Sequence, residues 1–304
     1  MQAQRVRLDA ELVRRGLARS REAAAGLIAA GRVTVAGGAA AKAATRVRKD
    51  DPITVAAPAD EPGYVSRGGR KLAGALAAFG ELTVAGRRCL DAGASTGGFT
   101  DVLLRAGAAH VVAADVGYGQ LAWPLRTDPR VTVLDRVNVR TLRPEQVAGP
   151  AGQGAGAKAP SGAEAPSGAE APSGAEAPSG AEPADVLPGL VVADLSFISL
   201  TLVLPALVAC ARADADFVLL VKPQFEVGRG RVGPGGVVRD AGARAGAVAS
   251  VCEAAAGLGL GVRGVTASPL PGPAGNVEYF VWLRRGAPPL DHRDLRQAIM
   301  AGPQ

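Results

Sequence analysis

The 304-residue sequence has few of the side chains that build disulfide frameworks, zinc sites or histidine-based active sites. Its three cysteines, Cys89, Cys210 and Cys252, are far apart and form no C-x-x-C pair, so we expect buried thiols and no metal site. His110 and His292 are the two histidines of the chain. Any proton transfer must therefore depend mainly on lysine and carboxylate groups.

Long apolar runs are also missing. The most apolar stretch, residues 201–221, is interrupted by Pro205, Arg212 and Asp214, which argues against a membrane span. The first fifteen residues alternate charged and aliphatic side chains and contain no apolar core of a signal peptide. We therefore expect a cytoplasmic protein with no membrane partner.

One internal segment lacks the residues of a packed core. The hexapeptide APSGAE occurs four times between Ala159 and Glu182. Alanine, proline, glycine and serine cannot bury enough apolar surface to order such a segment, and the period is too short for a solenoid. We expect residues 151–183 to form a disordered insert that loops out of one domain.

The first 61 residues form a small basic module. They contain eleven Lys or Arg against seven Asp or Glu, which is +4 of the chain's +6. Two short amphipathic helices and a strand are predicted, with Leu8, Leu12, Leu17, Leu27 and Ile28 as their core. A clustered set of arginines indicates contact with nucleic-acid phosphates, although a merely solvated basic face gives the same pattern. These arginines are Arg7, Arg14, Arg15, Arg19 and Arg21.

A glycine-rich turn at residues 89–101, CLDAGASTGGFTD, follows a strand predicted at 84–90 and precedes a helix. Its glycines allow positive φ and close approach of a ligand, while free N–H groups of the new helix favour polar groups. The spacing is not that of the dinucleotide motif G-x-G-x-x-G, and a turn without a ligand remains an alternative. The pattern resembles motif I of S-adenosylmethionine-dependent methyltransferases. The predicted cofactor-binding residues of this turn are Asp91, Gly93, Ala94, Ser95, Thr96, Gly97, Gly98 and Phe99.

Polar side chains follow several further apolar strands. Asp115, next to Val116, ends the second strand about 24 residues after Asp91, where an acid accepts hydrogen bonds from a cofactor ribose, although a simple helix cap gives the same pattern. Asp135 and Asn138 follow the third strand and are predicted to flank an adenine. The alternation of strands and helices predicts a doubly wound α/β sheet, mostly parallel.

The remaining motifs carry a family resemblance. SRGGRKL, DLSFISL, VKPQFEVG and GPAGNVEYF place Lys71, Asp194, Lys222 and Glu278 in the order found in FtsJ-like ribose methyltransferases, and VKPQFEVG resembles the TlyA family. LDAEL and LARSREAAAGLIAAGRVTVAGG resemble the S4 RNA-binding domain, although Asp50 stands where that family often has glycine.

The resemblance implies an S4-like domain at 1–61, a linker at 62–66 and a methyltransferase domain with a seven-stranded Rossmann-like sheet at 67–304. It implies S-adenosylmethionine as cofactor, and as partners ribosomal RNA in the 30S and 50S subunits, methylated on cytidine ribose in 16S and 23S rRNA. The chain is expected to act as a monomer.

Those four charged residues suit ribose methylation chemically. A ribose hydroxyl must lose its proton as it attacks a methyl group, and Lys222 is the predicted base. Asp194 would hold the lysine and the methyl donor, and Glu278 would orient Lys71 or the ribose. A buried charge network without turnover is the alternative.

Other side chains are predicted to contact RNA. Phe197 could stack on an extruded base or pack in the core, and the sequence pattern is the same for both. Four arginines could bind the RNA backbone, and ordinary surface arginines would look the same. They are Arg67, Arg70, Arg229 and Arg231.

Two other functions compete with catalysis. A non-catalytic ribosome- or RNA-binding protein would not need four charged residues at strand ends. A membrane-active protein of the kind suggested by the older family label, haemolysin, should show a long apolar helix or a strongly amphipathic basic one. Neither pattern is evident in the sequence.

Overall fold

The computed structural model describes residues 5–18, 20–29, 31–40, 42–48, 50–56, 63–149 and 187–303. The chain divides into two compact units, Met1–Gly63 and Tyr64–Gln304. The repeat insert predicted at 151–183 lies outside the described residues, as does Arg19. Each unit is described by itself below.

The first unit is a small α+β module. Its helices are α1 (Leu8–Arg14) and α2 (Arg21–Ala29), and its strands are β1 (Val6–Arg7), β2 (Val33–Val35), β3 (Gly38–Ala39), β4 (Arg46–Val47) and β5 (Ile53–Val55). Strands β1 and β4 pair antiparallel, and β2 pairs antiparallel with β3 and with β5. Leu8, Leu12 and Ile28 lie in its core as predicted.

Leu17 is a correction to the predicted core of this unit. Its side chain is exposed. Gly16, at φ +70°, turns the chain out of α1 immediately before it, and the Leu17 N–H closes that turn on the carbonyl of Leu12. A left-handed glycine commonly ends a helix in this way. Leu17 lies beyond the turn, so it does not continue the helical face that carries Leu8 and Leu12 into the core.

The second unit has the predicted alternation of strands and helices. Its strands are β6 (Arg88–Ala92), β7 (His110–Asp115), β8 (Val131–Asp135), β9 (Leu190–Ala193), β10 (Asp216–Val221), β11 (Leu260–Ala267) and β12 (Tyr279–Arg285). Its helices are α3 (Arg67–Ala78), α4 (Gly98–Arg105), α5 (Trp123–Arg126), α6 (Pro144–Val147), α7 (Leu200–Ala209), α8 (Pro223–Glu226), α9 (Ala241–Ala256) and α10 (His292–Ala301).

Within the described part of this unit the strands form one seven-stranded sheet, in the order β11-β12-β10-β9-β6-β7-β8. Strands β10, β9, β6, β7 and β8 run parallel to one another, whereas β12 runs antiparallel to β10 and to β11. The predicted doubly wound, mostly parallel sheet is confirmed. Strand order reverses between β6 and β9, which is where such sheets bind ligands beyond the strands' carboxyl ends.

The central strands are buried on both faces because helices cover both. Strands β9 and β10 have all of their residues buried, and a separate apolar cluster lies against each face of the sheet. Continuous apolar runs such as DFVLLV are typical of parallel strands covered in this way. The three cysteines are buried free thiols, as predicted.

The first strand of this sheet begins later than predicted. The sequence indicated a strand at 84–90, but β6 spans Arg88–Ala92. Gly86, at φ +74°, forms a turn that is closed by the Arg87 N–H on the carbonyl of Val84. Val84 is buried in that turn, so its apolar character reflects burial without strand geometry.

Candidate active site

Two of the four predicted catalytic residues meet at the carboxyl ends of neighbouring parallel strands. Asp194 directly follows β9, and Lys222 directly follows β10. The Lys222 Nζ lies 2.5 Å from Asp194 Oδ1 and donates a 2.9 Å hydrogen bond to Ser196 Oγ. The strand register therefore brings together residues that are 28 positions apart in the sequence.

The other two predicted catalytic residues form a second ion pair. Lys71 lies on α3, and its Nζ donates a 2.5 Å hydrogen bond to Oε2 of Glu278, just before β12. Glu278 is fully buried, and its Oε1 has no hydrogen-bond partner among the residues that the structure describes. Burial raises the pKa of Glu278, and the charge of Lys71 opposes that rise. Each lysine of the set thus has its own carboxylate.

Gly272 leaves the space that Glu278 needs. A Cβ at this position would lie 2.5 Å from Glu278 Oε1. The Gly272 N–H donates to the carbonyl of Asn276, and the Asn276 side chain in turn bridges Gly236 and Val238. The GPAGNVE motif therefore positions its glutamate through a tight turn that only glycine permits.

A cavity of about 300 Å³ lies over both lysines. The start of α3, the glycine turn and the proline-rich loop before Glu278 form its walls. Lining residues are Ser66, Arg67, Gly68, Lys71, Gly93, Ala94, Ser95, Thr96, Gly98, Phe99, Asp194, Ser196, Lys222, Pro271 and Pro273. Since Lys71, Asp194 and Lys222 face one space, a single group bound there can contact all three.

A second cavity, of about 480 Å³, adjoins the first. The loops that follow β6, β7, β8 and β9 enclose it. Lining residues are Gly93, Ser95, Asp115, Val116, Gln120, Val137, Asn138, Val139, Asp194, Leu195, Ser196, Phe197, Ile198 and Val203. Four residues line both cavities, namely Gly93, Ser95, Asp194 and Ser196. The two spaces therefore meet beside Asp194.

The glycine turn is held in a fixed shape at this junction. Gly93 has φ +89°, and a Cβ on it would lie 2.6 Å from the carbonyl oxygen of Asp194. Asp115 accepts hydrogen bonds from the backbone N–H groups of Ser95 (2.8 Å) and Gly117 (2.7 Å). Ser95 is itself left-handed, at φ +47°. The carboxylate of Asp115 thus stabilises a strained turn and lines the larger cavity as well.

Asp91 has a different position from the rest of the turn. Its side chain is fully buried, lies on neither cavity wall and accepts a 2.7 Å hydrogen bond from Thr100 Oγ1. Within the described part of the chain, the Asp91 Oδ1 has no hydrogen-bond partner. Burial raises the pKa of Asp91 to about 7, and the nearby carboxylates of Asp194 and Asp115 act in the same direction. Asp91 therefore supports the turn through its contact with Thr100 and does not line either cavity.

We expect the free energy of unfolding of Asp91→Asn to depend less on pH than that of the parent protein. A carboxyl whose pKa rises on folding, here from 3.8 to about 7, stabilises the fold fully below pH 3.8 and loses that contribution as the pH rises to about 7. Asparagine keeps the acceptor for Thr100 but does not ionise. The lost contribution is on the order of 4 kcal/mol as an upper bound.

Urea unfolding of both proteins between pH 4 and pH 8 measures this difference. The parent should lose more free energy of unfolding across the range than Asp91→Asn. Asp128→Asn, which removes a partly buried carboxylate paired with Arg130 and lowered in pKa by that pairing, serves as the control and should keep the parent's slope above pH 4. Parallel curves for the parent and Asp91→Asn would show that Asp91 does not bind a proton on folding.

Asp135 and Asn138 are placed differently from each other. Asn138 and Val116 line the larger cavity. Asn138 also accepts a hydrogen bond from the Arg140 N–H and so begins the turn Val139–Thr141. Asp135 is not on the cavity wall, and its carboxylate pairs with Arg126 at 2.9 Å. The structure therefore places Asn138, but not Asp135, on the wall of the larger cavity, and Asp135 anchors α5 through Arg126.

Phe197 lies at the rim of the larger cavity and not in the core. It is 91% exposed, at φ +65°, and its ring lies 5.3 Å from that of Phe225. Arg67 lines the smaller cavity, and Arg70 lies one turn further along α3. Arg229 and Arg231 belong to a 3₁₀ turn at Arg229–Arg231, and Arg231 is exposed.

The predicted RNA-binding arginines of the first unit are organised around two buried carboxylates. Asp9 pairs with Arg7 and Arg21, and Glu11 pairs with Arg14 and Arg15. Asp9 and Glu11 are almost fully buried. The arginine hydrogen bonds hold the pKa of Glu11 at about 2 and lower the pKa of Asp9 as well. The four arginines are thereby held by carboxylates of α1.

Ser196 and Gln120 are site residues that the sequence did not indicate. Ser196 accepts the hydrogen bond from Lys222 and lines both cavities. Gln120 lines the larger cavity, 3.3 Å from Ser95 Oγ. Ser196 stands two residues after Asp194, so its closeness to that carboxylate could have been predicted from the sequence. The neighbouring loop places Gln120, and no sequence pattern marks it.

The sequence and structure match those of known proteins. Residues 64–285 match the model of the FtsJ-like methyltransferase family, and residues 6–53 match that of the S4 domain. The chain is 57% identical, over 93% of its length and 91% of the relative's, to the 16S/23S rRNA (cytidine-2'-O)-methyltransferase TlyA of Mycobacterium tuberculosis.

Two further relatives carry the haemolysin label. The chain is 34% identical to Hemolysin A of Brachyspira hyodysenteriae, over 90% of this chain and 98% of that one. A solved structure from Streptococcus thermophilus, described as a candidate hemolysin, superposes with a TM-score of 0.70 at 33% identity, covering 97% of this chain and 94% of the other. Among the described residues, none of the helices combines the length and apolar character that crossing a membrane requires.

Identity at this level over nearly the whole chain settles the family. The chain belongs to the FtsJ-like methyltransferase family, with an S4 domain at its start, and within that family to the TlyA methyltransferases.

Proposed function

We propose that this enzyme transfers a methyl group from S-adenosylmethionine to the ribose 2′-oxygen of cytidines in 16S and 23S ribosomal RNA. The observation that carries the proposal is the junction of the two cavities beside Asp194, with Lys222 and Lys71 in the smaller one. The names of the relatives from Mycobacterium tuberculosis supply the substrate. An rRNA-modifying role implies that the protein acts in the cytoplasm.

The larger cavity fits the cofactor. Gly93 lets the glycine turn pack against the carbonyl of Asp194, where a Cβ would clash, and Asp115 presents a carboxylate on the cavity wall beside Asn138. In the proposal Asp115 accepts hydrogen bonds from the cofactor ribose, while Asn138, Val137 and Val139 border the adenine. Asp194, at the junction, lies beside the methyl-bearing end. The cofactor supplies an electrophilic methyl group when bound.

The smaller cavity positions the nucleophile. Lys222 accepts the proton of the ribose hydroxyl, and Asp194 and Ser196 fix the direction of its Nζ. Lysine acts in this way only after its Nζ has given up a proton. Lys71, held by Glu278, faces the same cavity and orients the ribose oxygen. Holding the two reactants at adjoining sites supplies much of the rate acceleration.

Both ion pairs argue against a non-catalytic role. Burying charged groups costs free energy, and well-packed apolar residues generally stabilise a fold at least as well. Lys71 and Lys222 are 7% and 8% exposed, yet both line a cavity. Buried charged groups that converge on a cavity are typical of active sites.

The proposal is tested by measuring tritiated methyl transfer from S-adenosylmethionine to separated 30S and 50S ribosomal subunits, followed by mapping of the labelled nucleotides. Label on the 2′-oxygen of cytidine in both subunits is the expected result. Label in one subunit alone would narrow the substrate. Label on a base, or none on either subunit or on free rRNA, would contradict the proposal.

We expect the first unit to supply much of the RNA affinity. Replacing Arg14 and Arg21 together by glutamine should weaken binding to ribosomal RNA about ten-fold or more, and should reduce the slope of log affinity against log salt by about 0.7 to 0.9 per lost phosphate contact. Both side chains are more than half exposed while their carboxylate partners keep a second arginine. The fold should therefore tolerate the change.

Filter binding or fluorescence anisotropy at several salt concentrations measures the effect. Arg130→Gln is the matched control, because it breaks an exposed ion pair with Asp128 in the methyltransferase unit. Affinity for S-adenosylmethionine should stay unchanged in both variants. An unaltered salt slope in the Arg14 and Arg21 variant would show that the basic face of the first unit is merely solvated.

A further inference from the structure

The segment that carries Asp194 and Ser196 has little structure of its own. Residues 194–199 connect β9 to α7 in an irregular conformation. Ser196 and Phe197 are exposed, and Phe197 is left-handed at φ +65°. The Asp194 N–H donates to the carbonyl of Ala92, and Leu195 and Ile198 pack against the core. Ser196 and Phe197, between them, depend on side-chain contacts for their position.

Those contacts come from one neighbouring turn, Lys222 with the short helix α8. Lys222 contacts Asp194 and Ser196, as described above. Phe225 contributes its ring, 5.3 Å from that of Phe197. The last residue of α8, Glu226, reaches the far end of the segment. Its Oε2 accepts a 2.5 Å hydrogen bond from Ser199 Oγ, and its Oε1 accepts a 2.8 Å bond from the Leu200 N–H.

Glu226 is placed at the start of a ten-residue helix, α7. A carboxylate is favourable there because the first N–H groups of a helix lack partners and the helix dipole is positive. Ser199 caps the Thr201 N–H, and Glu226 satisfies the Leu200 N–H and orients Ser199 at the same time. Burial raises the pKa of Glu226, while these two hydrogen bonds favour its charged form. Glu226 therefore joins α8 to the beginning of α7.

We propose that Glu226 is a positioning residue for methyl transfer. Glu226 fixes the start of α7 against α8 and so holds one end of the segment 194–199. Lys222 contacts the other end. Together these contacts keep Asp194 and Ser196 within reach of the Lys222 Nζ. Glu226 is not among the described residues that line either cavity, so it acts through this segment. The inference rests on the proposed function, because it assigns Lys222 and Asp194 their roles.

The test compares Glu226→Gln and Glu226→Ala with Glu253→Gln, an exposed glutamate of α9 that serves as the matched control. Single-turnover methyl transfer to ribosomal subunits is measured with saturating S-adenosylmethionine. Glutamine keeps one acceptor, so we expect a loss of about ten-fold, and about a hundred-fold for alanine, which keeps none. Because the segment also lines the larger cavity, the Kd for S-adenosylmethionine should rise as well, but by less than the rate falls, and Glu253→Gln should match the parent.

Backbone hydrogen exchange gives a second readout that does not need activity. In Glu226→Ala the amides at the start of α7, from Leu200 to Leu202, should lose protection while those of α9 keep it, because these amides donate to Glu226 and to Ser199. Unchanged rates in both Glu226 variants, or unchanged protection at the start of α7, would overturn the proposal. Rate losses matched by equal losses of cofactor affinity and of thermal stability would also overturn it, since they indicate only a role in folding. A parent protein that fails to methylate rRNA contradicts the proposed function, and the exchange result still decides whether Glu226 holds the segment.

Discussion

Lys222→Ala is expected to abolish methyl transfer, by about a thousand-fold or more, while the Kd for S-adenosylmethionine stays within about three-fold of the parent value. Lys222 lines the smaller cavity but not the larger one, so its loss removes a proton acceptor without removing a contact to the cofactor. Asp194, which lines both cavities, loses its ion-pair partner in this variant. An exposed fraction of 21% for the Asp194 side chain lets water compensate part of that loss.

Lys222→Arg separates a base from a fixed positive charge. Arginine can keep the ion pair with Asp194 and the positive charge in the cavity, but it does not lose a proton in proteins. We expect this variant to be as inactive as Lys222→Ala. Lys158→Ala, in the repeat insert, is the control and should retain full activity. Calorimetry with S-adenosylmethionine and single-turnover assays on isolated subunits measure the two properties. Substantial turnover by either Lys222 variant would place the base elsewhere.

Much of the second unit could be predicted from sequence because its strands are apolar runs that end in polar residues. LVVAD and DFVLLVK show both the buried strand and the charged group that follows it. The carboxyl ends of parallel strands share one edge of a sheet, so Asp194 and Lys222 could be expected to lie close together. Their ion pair agrees with that reasoning.

The pairing within the charged set could not be predicted in the same way. The sequence left Glu278 with two roles, orienting Lys71 or the ribose, and the structure shows its contact with Lys71. That contact joins α3 to the residue before β12, which are 207 positions apart. It depends on how the helix packs over the sheet and on the turn at Gly272. Neither feature has a local periodicity that a sequence pattern could show.

The role of Asp91 shows why a motif residue can differ from its expected place. The sequence suggested a cofactor contact for eight residues between Asp91 and Phe99, Asp91 among them. In the structure Asp91 is the last residue but one of β6, and its side chain contacts Thr100 in the first turn of α4. An aspartate inside the end of a strand and one just beyond it look alike in sequence. Sheet register decides between them.

Asp115 has the opposite placement, and its substitution should affect binding. Asp115→Ala should raise the Kd for S-adenosylmethionine by roughly ten- to a hundred-fold, the effect of losing one charge-assisted pair of hydrogen bonds. The structure adds a second cause, because the Ser95 and Gly117 N–H groups lose their acceptor and the left-handed turn at Ser95 is no longer held. Asp115→Asn keeps one acceptor oxygen and should lie between alanine and the parent.

The rate of transfer at saturating cofactor should fall by only a few-fold in Asp115→Ala, because Lys222 and Asp194 keep their contacts. The same calorimetric titration used for Lys222→Ala therefore gives the reverse pattern, which separates holding the cofactor from activating the ribose. Asp128→Ala is the control, since that aspartate pairs with Arg130 and lines neither cavity. An unchanged Kd in Asp115→Ala would mean that the larger cavity binds the cofactor without this carboxylate.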